Sequence, residues 1–180
     1  MRLPKVIIDG PAFLGMILSS IEVFEYETYG ILIGTKHRKN YVVKYAVPLQ
    51  TTNRRKYEVS ICHKRAAAVR RSIKGISPYH YIGEFHSHPY GAARLSEHDK
   101  KDMEQCGELI SLLVIVEPAK KHEKWRYDQK DKAFCGSVDD EFLVRVKGYL
   151  YDHVKKKIRK VHLKCPYISR LNRLKNKTHR

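Results

Sequence analysis

His86-Ser87-His88-Pro89-Tyr90-Gly91-Ala92-Ala93-Arg94-Leu95-Ser96-Glu97-His98-Asp99 is the stretch from which the rest of the chain can be read. The histidines stand two apart, so on an extended backbone both rings leave the same side of a strand. Pro89 has no amide hydrogen to give a ladder and stops that strand. The chain turns through Gly91 and restarts at Ser96, a good helix N-cap residue. Asp99 then falls in the first turn of the helix and can point back toward the histidines. Two neutral imidazoles and a carboxylate are three protein ligands, the number a catalytic zinc site uses when its fourth position stays open.

Each half of the stretch has an ordinary reading. His-x-His alone fits a surface strand, and Ser96-x-x-Asp99 alone is a capping box with Asp in place of Glu or Gln. The conjunction is what informs: two histidines, a proline, a serine and an aspartate at fixed spacing. His98 is a decoy ligand beside Asp99, since helix neighbours are set by steps of three and four, and Ser96 and Asp99 share a face that His98 does not. His37, His63, His80, His122, His153, His162 and His179 are scattered and read as surface residues.

The pattern resembles the signature of the JAMM/MPN+ zinc metalloproteases: His-x-His, seven residues beginning with proline, then Ser-x-x-Asp. That family carries a glutamate upstream, as Glu-x-x-Gly-x-x-x-Gly at the end of the first helix, and Glu27-Thr-Tyr-Gly30-Ile-Leu-Ile-Gly34 stands at the matching place. The flanks agree: Tyr81–Phe85 leads into the histidines, Leu112–Val116 follows the helix, and Trp125–Tyr127 comes after. The resemblance covers roughly residues 5–150. It implies one Zn²⁺ held by His86, His88 and Asp99, with Glu27 as general base and Ser96 donating to the developing oxyanion. Glu84, two before His86 and on the same strand face, is the rival base or ligand. Glu22 and Glu25 read as solvated.

The activity implied is isopeptide hydrolysis that releases ubiquitin-like or sulfur-carrier modifiers after a Gly-Gly tail lying extended along a sheet edge. The short gap between Asp99 and Trp125 suits a compact version of the archaeal or bacterial sort. The contrasting readings are a non-catalytic MPN-type scaffold and a nucleic-acid-associated protein of RadC-like kind, binding through its basic end.

At 180 residues the chain is long enough to bury a core without disulfides. No leader is evident, and no apolar run in these residues reaches the roughly 20 needed to cross a bilayer, so a cytoplasmic protein is expected. Cys62, Cys106, Cys135 and Cys165 form no Cys-x-x-Cys pair, so reduced thiols are expected. The net charge of +17 favours acidic partners. No acidic residue follows Asp152, while Lys155, Lys156, Lys157, Arg159, Lys160 and Lys164, then Arg170, Arg173, Lys175, Lys177 and Arg180, do. The reading is a catalytic domain over 1–152 and a basic extension over 153–180, part of it completing the sheet; association between copies is left open.

The pattern predicts strands over 5–9, 29–35, 40–49, 56–61, 79–88, 110–116, 124–128 and 141–151, with 131–135 pairing back on its predecessor. Helices are predicted over 11–25, 64–73 and 96–106, the first with Phe13, Leu14, Ile17, Leu18, Ile21 and Phe24 as its core face. Val154–Leu163 reads as a returning hairpin. The fold class is α+β or mixed α/β: a curved, mostly antiparallel sheet flanked by two or three helices, MPN/cytidine-deaminase-like.

Overall fold

Leu112-Leu113-Val114-Ile115-Val116 is an unbroken apolar run, and all five side chains are buried. A strand covered on both faces belongs at the centre of a sheet, and the computed structural model places it there. The residues described are 4–38, 40–50, 53–55, 58–60, 62–91, 93–105 and 109–178. The chain begins β1 (Lys5–Ile8), α1 (Gly10–Glu22), β2 (Tyr29–His37) and β3 (Asn40–Pro48). A hairpin of β4 (Asn53–Arg55) and β5 (Glu58–Ser60) stands apart, followed by α2 (His63–Ile76), β6 (His80–Pro89) and α3 (Glu97–Gln105). Then come β7 (Ile110–Pro118), β8 (Arg126–Asp128), β9 (Ala133–Val138) and β10 (Phe142–Asp152). β11 (Lys157–Lys160), β12 (His162–Lys164) and α4 (Pro166–Thr178) complete the chain.

The large sheet is mixed, ordered β12-β1-β3-β2-β6-β7-β10-β9-β8, with β11 on β10. β1 runs parallel to β3 and β12, and β6 parallel to β7, while the remaining neighbours are antiparallel. The two glycines after Glu27 have a packing cause. A Cβ on Gly30 would overlap the Phe85 ring of β6, and one on Gly34 would overlap the Val42 carbonyl of β3. Their absence of side chain lets β2 sit close to both neighbours.

α1 and α4 cover one face, where Phe13, Met16, Leu112, Val114, Val146 and Trp125 share a core. Each fully buried Val, Leu, Ile or Phe there contributes on the order of 1.5–3 kcal/mol. Phe13 meets Trp125 edge-on, with ring centroids 4.9 Å apart. α2 and α3 cover the other face in two smaller clusters.

The structure departs from expectation in four places. The helices number four among the described residues, not two or three. The fourth, α4, buries Ile168 and donates from Asn172 Nδ2 to the Trp125 carbonyl at 2.7 Å. Leu14 and Leu18 are exposed, because they lie on the side of α1 turned from the sheet: the inward side is filled by Ala12, Phe13, Met16, Ile17, Ser19 and Ser20, all buried, and a Cβ on Gly15 would stand 2.7 Å from the Ala46 carbonyl. α1 ends at Glu22, short of Glu25. Within the strand expected over 56–61 the described residues form β5, and β4, which was not expected, pairs with it; residues 56–57 and 61 lie outside those described. Cys106 and His179 also lie outside the described residues, as does the His63 side chain. No described helix is long and apolar enough to cross a membrane.

Candidate metal centre

β6 and β7 run parallel in register, His86 opposite Leu113 and His88 opposite Ile115. Both rings leave the face where α3 packs, as alternation requires. α3 is seated by Met103 and by Leu95 just before it, against Leu113, Ile115 and Tyr149. That small apolar cluster carries Asp99 to the histidines. After Pro89 the chain reverses at Tyr90 and Gly91, both at positive φ (57° and 80°). The intervening loop is tied down where Lys147 Nζ, on a nearly buried side chain, donates to the Ala93 carbonyl at 3.2 Å.

His86, His88 and Asp99 each turn one ligand-type atom into a common space, all within 4.8 Å of one another. His86 Nε2 lies 3.4 Å from Asp99 Oδ1, and His88 Nε2 lies 3.5 Å from Asp99 Oδ2. Two atoms bonded to one tetrahedral zinc at about 2.1 Å stand about 3.4 Å apart, so the spacing suits a shared ion. His86 Nε2 is buried with no hydrogen-bond partner, as expected of a nitrogen reserved for a metal. Burial alone would raise the Asp99 carboxyl; the His86 and His88 rings and the Ser96 hydroxyl outweigh it and hold the group well below the ordinary carboxylate range. The donor set is therefore chemically ready: two buried imidazoles and a carboxylate that stays ionised.

Ser96 caps α3 and orients Asp99 together. Its amide and its hydroxyl both donate to Asp99 Oδ2, at 2.7 and 2.8 Å, and the Asp99 amide donates back to Ser96 Oγ at 3.1 Å. Glu27 lies on the segment joining α1 to β2, beyond the helix end where it was expected, with Oε1 3.8 Å from His88 Nε2. It stands beside the ligand group without belonging to it. His98 points away, 70 % exposed, toward Asp102. His37, His80, His122 and His153 are exposed as expected, whereas His162 is half-buried with its ring edge-on to Tyr127.

Glu84 shares the strand face of His86 but is drawn elsewhere. Its Oε2 accepts a hydrogen bond from the Tyr29 hydroxyl and a longer one, 3.5 Å, from Tyr81, and Arg70 of α2 lies 3.6 Å away. Arg70 also stacks on the Tyr81 ring at 4.3 Å. The sequence gives no local sign of this cluster, because its members come from three elements joined only by the fold. A second arrangement is just as hidden: Ser87, between the histidines, accepts from the Thr28 amide at 2.9 Å.

A mixed sheet carrying two histidines at a strand end and an aspartate on the following helix defines a protein with a built metal-type site. The sequence model for prokaryotic homologues of the JAB domain matches residues 12–128, and the chain belongs to that family. Among solved structures, the solution structure of protein DSY2949 from Desulfitobacterium hafniense is similar in fold. It has a TM-score of 0.60 at 17 % identity, covering 89 % of this chain and 92 % of that one. No curated protein matches.

Proposed function

We propose that the chain is a zinc-dependent isopeptidase that cuts ubiquitin-like or sulfur-carrier modifiers after a Gly-Gly tail. The observation that carries this reading is the placement of Glu27, a carboxylate 3.8 Å from a ligand-type histidine and outside the ligand group. His86, His88 and Asp99 would hold the zinc, whose chemistry is Lewis acidity toward water and a carbonyl oxygen. Glu27 takes the proton of the attacking water and returns it to the leaving lysine amine. Ser96 keeps Asp99 in place by the bonds described. Turning its hydroxyl from Asp99 to the negatively charged oxygen of the tetrahedral intermediate would add about 3 kcal/mol of transition-state stabilisation. The free, largely buried thiols Cys135 and Cys165 suit a reducing, cytoplasmic setting.

The test is metal content together with cleavage of a panel of Gly-Gly-tailed fusions, wild type against Glu27→Gln. Bound zinc, cleavage by wild type and none by the variant support the reading. A metal-loaded wild type that cuts none of them overturns it.

A second reading is an MPN-type scaffold that recruits nucleic acid, and exposed Arg170 and Arg173 on α4, in a segment free of acidic residues, favour it. Its mark is binding whose log affinity falls steeply with log salt.

A further inference from the structure

β2 and β6 pair from Gly34↔His80 to Tyr29↔His86, and the next rung, Thr28 with Ser87, is altered. Ser87 donates its amide to the Thr28 carbonyl at 3.0 Å, as a ladder would. The return bond is different: the Thr28 amide goes to the Ser87 hydroxyl oxygen at 2.9 Å. A side chain thus closes the last rung where the backbone of Glu27 peels away toward His88. Both residues are about 1 % exposed, so water cannot replace the hydroxyl. Thr28 Oγ1 is itself buried with no hydrogen-bond partner, so its own side chain gives Thr28 no polar anchor.

We propose that Ser87 is a positioning residue for Glu27, its hydroxyl fixing the Thr28 backbone so that the neighbouring carboxylate stands beside His88. The proposal rests on the reading of Glu27 as the base only for its catalytic consequence; the geometric part holds whatever the chain cleaves. The residue between two ligand-type histidines thereby sets where the group adjoining them sits. An alanine there removes the acceptor. A cysteine keeps the volume but is a weak acceptor, and a threonine keeps the hydroxyl.

The experiment uses the full metal-free chain in four forms: wild type, Ser87→Ala, Ser87→Cys and Ser87→Thr. Hydrogen exchange at the Thr28 amide should quicken at least 10-fold in the Ala and Cys forms and stay slow in the Thr form. The nitrogen resonance of the His88 ring supplies the positional readout. Glu27→Gln should shift it in wild type and in Ser87→Thr, and shift it less than half as much in the Ala and Cys backgrounds. Unchanged exchange, or an undiminished shift in Ser87→Cys, overturns the proposal. If Ser87→Ala does not fold, the isosteric Cys form decides. With zinc loaded and a cleavable fusion, the Ala and Cys forms should lose about 10-fold or more in kcat with KM unchanged, restored by Thr; a change in KM alone would overturn it. A wild type that cuts nothing ends the isopeptidase reading and leaves the two metal-free measurements to judge this one.

Discussion

The Glu84 carboxylate is held by the Tyr29 hydroxyl, although Glu84 lies only two residues from His86 along β6. Proximity in sequence offers Glu84 as a base, and the fold engages it in a bridge between α2 and the sheet. Glu27 and Glu84 are therefore separable by mutation. Glu27→Gln should keep metal and reduce cleavage by about 10²- to 10⁴-fold. Glu84→Gln should keep most of the cleavage while lowering the midpoint of thermal unfolding, since Arg70 then lacks its acidic neighbour.

His86→Ala and Asp99→Ala should each lose metal after dialysis, measured by elemental content, because each removes one of three ligand-type atoms. His98→Ala should bind metal as wild type does, its ring being turned to solvent.

A chelator should abolish cleavage, and added zinc should restore it. Iodoacetamide should modify exposed Cys62 and leave the rate unchanged. Burial pushes the Cys135 and Cys165 thiols up, so both should label slowly in native protein, read by intact mass. Loss of activity on labelling Cys62 would point to thiol chemistry instead.

Burial pushes the Tyr149 phenol up to about 12, with Asp131 and Asp99 adding to the shift, and burial beside Glu84 raises Tyr29 further. A phenol raised in the folded state leaves stability intact below its unfolded value near 10. The loss comes above that, as the unfolded chain ionises first. Tyr149 alone then accounts for about 2 kcal/mol lost between pH 10 and 12. Denaturant midpoints over that range should fall less in Tyr149→Phe than in wild type.

Trp125→Ala should destabilise the fold by about 3–5 kcal/mol, as removal of a buried aromatic does. Asn172→Ala should cost about 1 kcal/mol by releasing the bond from α4 to the Trp125 carbonyl. Chemical denaturation followed by tryptophan fluorescence measures the second, and circular dichroism the first.

The ligand-type group of His86, His88 and Asp99 is legible because its geometry is local: a strand alternation, a proline stop and a capping serine lie within fourteen residues of one another. Glu27 was legible only through the spaced motif that contains it, since nothing near it in sequence announces a partner. Leu14 and Leu18 are apolar residues that α1 leaves outside, because Ala12, Phe13, Met16, Ile17 and Ser20 already fill the face turned to the sheet. The sheet-facing side of α1 mixes Phe13, Met16 and Ile17 with small groups, and Ser19 and Ser20 satisfy their hydroxyls on the Gly15 and Met16 carbonyls within the helix, which lets serine behave as a core residue. α4 was hidden by the charge around it. Tyr167, Ile168 and Leu171 make its apolar side, while Arg170 and Arg173 dominate its composition.

β1 and β12 lie side by side, Val6 opposite Leu163. A ribosome delivers Leu163 long after Val6, so one rim of β1 stays without its mate while all the residues between them emerge. An unpaired rim in a growing polypeptide invites strand exchange with a neighbouring copy. Crowded expression should therefore favour aggregates seeded at β1, and weaker induction, which leaves fewer nascent copies side by side, should relieve them.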